Sequence, residues 1–258
     1  MIISFNKNFI FFKTLKTSST TLEIILSKYL NVFDIISPID GPDEEVRIRL
    51  KYRSKQNYKF NFLEFLLKYK FQTILSLKYF IFRDYYKKKY YEGYLPPKYL
   101  KFSQHMPALE IKNKISSKHW ENFFKFTILR NPIDQIISNY FYVKNNPHQF
   151  PKFINIDIDE YINSYAKNFF IRNEKIFCIN NKSIVDKVLL FENLSDDLNY
   201  LAKKLNLNSN LVLEYKNIKT KYGNYNKNEK LEILNKNRLI SIKNLIPKVY
   251  FDYYNLDV

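Results

Sequence analysis

Apolar and polar positions alternate along the chain in a way that predicts strands feeding helices. Phe9-Ile-Phe-Phe12 is a short continuous apolar run, the pattern of a strand buried on both faces. A polar turn, Lys16-Thr-Ser-Ser-Thr-Thr21, follows it. Leu22, Ile25, Leu26, Tyr29 and Leu30 then recur at the i, i+3, i+4, i+7, i+8 spacing of an amphipathic helix. The unit repeats downstream. Phe123 to Leu129 reads as a second buried strand, and Ile133, Ile136, Ile137, Tyr140 and Phe141 give the next helix its core face. Lys187 to Glu192 reads as a third strand, before a helix carrying Leu198, Leu201, Ala202 and Leu205. Leu231 to Tyr254 reads as helices ending in an aromatic packing segment.

The stretch from Ile35 to Leu100 has a different character. It holds an acidic turn, Asp40-Gly-Pro-Asp-Glu-Glu45, a basic stretch from Arg47 to Lys59 and an aromatic amphipathic segment. The run Tyr85-Tyr-Lys-Lys-Lys-Tyr-Tyr91 then precedes Pro96-Pro97. Interleaved Lys and Tyr suit a surface that stacks sugars or bases and meets anions. More often such a run is a solvated helix face with its rings turned inward. No repeat, low-complexity linker or domain boundary interrupts the 258 residues. One α/β domain over 1–258, with an insert at about 35–100, is the expected organisation.

Composition narrows the picture only a little. The net charge of +17 favours polyanionic partners, but Lys, Asn, Ile, Phe and Tyr are all abundant, as an AT-rich genome also produces. Cys178 is the single cysteine, so no internal disulfide forms, and no Cys/His cluster suggests a metal. The most apolar window, Phe60 to Phe82, is broken by Glu64, Lys68, Lys70 and Lys78 and falls short of a membrane span. No N-terminal signal stretch is visible, and a cytoplasmic location is the expectation.

Three segments carry chemistry. A helix opening from a hydroxyl-rich turn presents free N–H groups and a dipole that favour an anion. Lys16 adds a point charge there, and Thr17, Ser18, Ser19, Thr20 and Thr21 add donors. Thr20 and Glu23 fit a capping box. A Walker A loop needs glycines, and the only three, Gly41, Gly93 and Gly223, all lie elsewhere. Lys13, at the strand end, reads as solvated. The second segment places Arg130 at a strand end and Ser138 about two turns into the following helix, with Pro132 and Asp134 in its first turn. A guanidinium fork and a compact hydroxyl so placed converge on one phosphate. The third is Phe102-Ser-Gln-His105-Met-Pro-Ala. A histidine suits general-base work, while a lone histidine also occurs as a plain loop or core residue. His119 beside Trp120 reads as packing and His148 as an exposed turn.

The Lys16 loop resembles the 5′-phosphosulfate-binding loop of sulfotransferases, and the strand-Arg130-x-Pro-helix-Ser138 pattern resembles their 3′-phosphate motif. The likeness is to the carbohydrate branch, of heparan-sulfate 2-O and galactose-3-O type. It implies a three-layer, P-loop-NTPase-like α/β fold with a central parallel sheet flanked by helices. It also implies 3′-phosphoadenosine 5′-phosphosulfate as donor, adenosine 3′,5′-bisphosphate as product and no metal. Lys16 would stabilise the leaving group, Arg130 and Ser138 would grip the 3′-phosphate, and His105 would take a proton from an acceptor hydroxyl, a glycan in that branch. Lys219, Lys221 and Tyr222 match a late basic loop that closes over the nucleotide or is simply exposed, and Glu192 matches a mainly structural position. No nucleic-acid motif is present. The competing readings are a P-loop-type nucleotide or small-molecule kinase and a non-catalytic anion- or nucleic-acid-binding module.

Overall fold

The computed structural model describes residues 1–59, 100–208, 210–218 and 233–256. Seven strands lie among them: β1 (Ile2–Ser4), β2 (Phe9–Phe12), β3 (Ile35–Ile36), β4 (Phe124–Leu129), β5 (Cys178–Ile179), β6 (Lys182–Ser183) and β7 (Lys187–Leu190). Five form the central sheet in the order β3-β1-β2-β4-β7, and β5 and β6 form a separate ribbon. β2 pairs with β4 in parallel, Phe9 opposite Phe124 and Phe12 opposite Thr127. β4 pairs with β7 in parallel, Phe126 opposite Lys187. β1 is antiparallel to both β2 and β3, so it alone runs against the other four.

The sheet is therefore mostly parallel, with β1 the exception to the expected central parallel sheet. The reason is the length of a connection. Residues 5–8 cannot form the dozen-residue crossover that parallel neighbours need, so the chain returns as a hairpin. Asn8, at φ 52°, takes the left-handed turn position that asparagine tolerates.

Among the described residues the α-helices are α1 (Ser19–Ser27), α2 (Gly41–Arg49), α3 (Ala108–Lys112), α4 (Ser117–Asn122), α5 (Pro132–Lys144), α6 (Ile158–Tyr161), α7 (Lys167–Phe177), α8 (Leu194–Lys204), α9 (Leu211–Asn217) and α10 (Lys236–Lys243). Alternation along each strand sorts its side chains onto opposite faces. Phe9 and Phe11 join Phe126 and Ile128 under Leu22, Ile25 and Leu26 of α1, Leu198 and Leu201 of α8 and Leu211 of α9. Ile10 and Phe12 point the other way, toward Ile111 of α3 and Trp120 of α4. A third cluster joins Ile136, Ile137 and Tyr140 of α5 to Phe169 and Phe170 of α7, Ile242 of α10 and Tyr250. Helices thus cover both sheet faces. Among the described residues no helix is long and apolar enough to cross a membrane.

Two local expectations change. The acidic segment at Asp40 is not a turn but the start of α2. Pro42 suits a first helical turn, Asp43 and Glu44 sit at the positive end of the helix dipole, and Arg47 and Arg49 sit at the negative end. The capping box does not form either. α1 starts at Ser19 behind a left-handed Ser18 with no side-chain cap, because the Glu23 carboxylate is drawn into buried ion pairs. The part of the insert at 60–99 lies outside the described residues.

Phe126 is the centre of the sheet core. It is fully buried, with ring centroids 5.6 Å from Phe9, 5.2 Å from Phe11 and 5.6 Å from Phe124. Phe126→Ala is expected to cost about 3–5 kcal/mol of stability. Urea denaturation checks this, and a loss below about 1 kcal/mol would contradict a tightly packed centre.

Candidate active site

Because β2 and β4 run parallel, the loops that leave their carboxyl ends emerge side by side, the usual location of a ligand crevice in α/β sheets. The first loop runs from Lys13 to Ser18 between β2 and α1. Lys16 (φ 58°) and Ser18 (φ 60°) both adopt left-handed backbone, which costs roughly 1 kcal/mol or more for a residue other than glycine. Contacts from several elements hold the loop in that shape. The Thr14 hydroxyl donates to the Ile128 carbonyl of β4 and lies 3.0 Å from the Thr17 hydroxyl. Ser19 Oγ donates to the Thr14 carbonyl at 2.8 Å. The hydroxyls of Thr17 and Ser19 thus brace the loop. The backbone N–H groups of Ser19, Thr20 and Thr21 belong to the first turn of α1, where helical N–H groups have no partner within the helix.

The Leu15 peptide is captured on both sides. Its N–H donates to Asn173 Oδ1 of α7 at 2.8 Å, and its carbonyl accepts from Gln135 Nε2 of α5 at 2.5 Å. Asn173 Nδ2 donates to the Tyr250 hydroxyl at 2.6 Å, and that hydroxyl donates to Gln135 Oε1 at 3.4 Å. The ring of bonds closes on itself, and Asn173, Gln135 and Tyr250 are all fully buried. Burial of its hydroxyl leads the causes that raise the Tyr250 pKa, so it stays a neutral donor.

Lys13 is buried rather than solvated, at 2% exposure. Its Nζ lies 2.9 Å from Glu23 Oε2 and donates to Gln104 Oε1 at 3.2 Å. Glu23 also meets the Met1 amino nitrogen at 3.0 Å and Arg47 at 3.5 Å, and Arg47 pairs with Glu44 at 3.0 Å. Burial alone would raise the Glu23 pKa. The charges of Lys13, the Met1 amine and Arg47 outweigh it and hold the carboxyl at about 2. A burial this deep is tolerated because each charge has a partner.

His105 reaches the same loop. Its Nδ1 lies 2.8 Å from the Lys13 carbonyl. A carbonyl oxygen only accepts, so Nδ1 carries the hydrogen and Nε2 keeps its lone pair. Burial first, then the Lys13 charge, holds the ring well below its usual pKa of 6.5. His105 is therefore a neutral imidazole with a basic nitrogen to offer.

On the second loop, Arg130 leaves β4 half-buried, its guanidinium 4.9 Å over the Phe191 ring. Asn131 caps α5 by accepting from the Ile133 N–H, while its own N–H donates to Glu192 Oε1 at 2.7 Å. Glu192 also accepts from the Tyr254 hydroxyl at 2.9 Å. It is thus fastened to the Arg130 turn. Ser138 is half-buried further along α5. One turn beyond it, the ring of Tyr142 lies 3.9 Å beneath Lys16 Nζ. The Tyr142 contact thus seats α5, which also carries Ser138, against the Lys16 loop, and Arg130 leaves the neighbouring parallel strand. Lys219, Lys221 and Tyr222 lie outside the described residues. His119 packs against Phe5 and Phe123, each at 5.0 Å, and His148 is exposed.

Reading motifs alone passes over Asn173, Gln135, Tyr250, Tyr142 and Gln104. Asn173 did leave a signal: it interrupts the apolar stripe of Phe169, Phe170, Ile176 and Phe177 at the same helical spacing.

With this geometry in place, comparison with known proteins gives the class. The sulfotransferase family matches residues 1–257, and the chain belongs to that family. It is 32% identical, over 106 residues, to an uncharacterized protein of Archaeoglobus fulgidus, a match covering 40% of this chain and 83% of that protein. No solved structure matches the chain.

The Leu15 clamp predicts a stability effect. Asn173→Ala leaves a buried N–H and a buried hydroxyl without their partner, and is expected to cost about 2–4 kcal/mol. Chemical denaturation reads this directly, and an unchanged midpoint would contradict the clamp.

Proposed function

We propose that the protein transfers a sulfuryl group from 3′-phosphoadenosine 5′-phosphosulfate, the donor sulfotransferases generally use, to an acceptor hydroxyl. The acceptor is a glycan in this reading, after the branch that the two loops resemble. The chain would act as one P-loop-like sulfotransferase domain whose acceptor side includes the segment at about 35–100. The carrying observation is the bond from His105 Nδ1 to the carbonyl of Lys13. It ties the candidate base to the loop that holds Lys16, at the N-terminus of α1, where an anion is favoured.

The residues present fit such a donor. The first turn of α1 and the loop before it offer N–H groups to a 5′-phosphosulfate, from Thr17, Ser18, Ser19, Thr20 and Thr21. Arg130 and Ser138 supply a fork and a hydroxyl for the 3′-phosphate, the group that separates this donor from ATP. Lys221 is assigned to the same nucleotide as part of a covering loop. The donor contributes an activated sulfur–oxygen bond to phosphate. His105 Nε2 takes the acceptor proton as the new oxygen–sulfur bond forms and the bond to phosphate breaks. Lys16 offers a positive charge to the leaving phosphate oxygen, the kind of electrostatic stabilisation that dominates such displacements. Tyr142 holds Lys16 against the loop by a cation–π contact until an anion competes for it.

Turnover assays on single variants test these roles. Lys16→Ala should lower transfer by about a thousandfold, as the loss of a transition-state charge contact does. Arg130→Ala should weaken donor affinity by about 2 kcal/mol, roughly thirtyfold. His105→Ala should bind donor normally while losing transfer. Full activity in either Lys16→Ala or His105→Ala would overturn its assignment.

The pH profile supplies a further test. A base works only when unprotonated, and His105 is held neutral below the usual 6.5. Transfer should therefore stay level as pH falls through 6.5 and decline only below it. An acid limb centred at or above 6.5 would contradict the burial of this ring.

A further inference from the structure

We propose that Lys13 is a positioning residue that ties the donor loop to the base, orienting His105 through its backbone carbonyl and fixing the Gln104–His105 segment through its side chain. The inference rests on the reading of His105 as the base. A lysine at the end of a strand has every reason to reach solvent, yet this one is buried at 2% exposure. It makes three contacts at once. Its Nζ meets Glu23 Oε2 at 2.9 Å and Gln104 Oε1 at 3.2 Å, and its carbonyl accepts from His105 Nδ1 at 2.8 Å.

Two of these contacts grip neighbouring residues, Gln104 and His105, across a sequence separation of 91 and 92 positions. One contact fixes a distance; two from the same residue also fix an orientation. The third locks the ammonium to α1, the helix that begins at the donor loop. Glu23 is itself held by Ser37 Oγ at 3.3 Å, by Arg47 at 3.5 Å and by the Met1 amino nitrogen at 3.0 Å. Lys13 is thus placed from both sides. A shift of its backbone would move the loop carrying Lys16 and the ring of His105 together, which is what in-line transfer between them requires.

The same placement has an electrostatic consequence. Behind burial, which contributes most, Lys13 and Arg172 of α7 set positive charge around His105, with Glu23 as the anion beside Lys13; the Met1 amine, itself lowered to about 5 by burial, adds little there. These cations disfavour the imidazolium, so the lysine that orients the ring also keeps it unprotonated.

The test uses the full chain with ¹⁵N-labelled histidine, read by NMR for tautomer and titration midpoint. The chain has three histidines, so His119→Gln and His148→Gln assign the signals. Wild type should show hydrogen on Nδ1 and a midpoint below 6.5. Lys13→Met keeps the backbone carbonyl but frees the Gln104–His105 segment and removes the charge, so it should weaken the tautomer preference and raise the midpoint. The acid limb of kcat/KM should move with it, and kcat should fall by about tenfold with donor KM within about twofold. Lys13→Arg should restore the lower midpoint. Should Lys13→Met fail to fold, Gln104→Leu leaves the buried ion pairs intact, and it should lower kcat and loosen the tautomer preference. Hydrogen on Nε2 in wild type would overturn the proposal. So would unchanged spectra in Lys13→Met, or in Gln104→Leu where Lys13→Met does not fold. His105→Ala with normal transfer would instead overturn the base assignment, and with it the catalytic meaning of the tie, whatever the spectra show.

Discussion

The parallel pairing of β2 with β4 is the constraint on which the site depends. Phe9 opposite Phe124 and Phe12 opposite Thr127 bring the carboxyl ends of both strands to one edge. The loop at Lys16 and the turn at Arg130 must then emerge as neighbours. Without that register, two segments more than a hundred residues apart would have no reason to meet. The Thr14 hydroxyl, bonded to the Ile128 carbonyl, ties the loop of one strand to the backbone of the other. Phe9, Phe11 and Phe126 pack across the pair, so the stability of the core and the geometry of the site rest on the same side chains.

A loop without glycine needs holding. Glycine-rich phosphate loops reach left-handed backbone at no steric cost, whereas here Lys16 and Ser18 adopt it against their preference. The structure offsets that strain with tertiary bonds. Asn173 and Gln135 grasp the two sides of the Leu15 peptide, and Tyr250 links them. Below the loop, Lys13, Glu23, Arg47 and Glu44 form a buried set of two positive and two negative side chains. Such a set adds little net stability over apolar packing, but removal of one member is expensive because it strands the others. It fixes where α1, α2 and the His105 segment sit relative to the loop.

Much of this was legible in the chain itself. The strand–loop–helix unit at Lys16, the helix opening with Pro132 and Asp134 after Arg130 and the helix of Leu198 and Leu201 all follow from periodicity and local chemistry. What escaped was decided by tertiary contacts. Thr20 and Glu23 satisfy a capping pattern, yet the ion pairs of Glu23 win over the local bond. Lys13 has the sequence context of a solvated residue, and only the approach of Glu23 and Gln104 buries it. Residues 2–4 are too short a strand to announce their antiparallel pairing. Asn173 was readable in principle, as a polar residue inside an apolar stripe. Gln135 and Tyr250 gain meaning only beside it.

The central claim is that the edge formed by β2 and β4 binds a nucleotide bearing a 3′-phosphate. Calorimetric titration of the full chain with adenosine 3′,5′-bisphosphate, alongside ATP with magnesium, tests it most directly. The account predicts micromolar binding of the bisphosphate and none of comparable strength for ATP. Preference for ATP, or no binding of the bisphosphate, would contradict it.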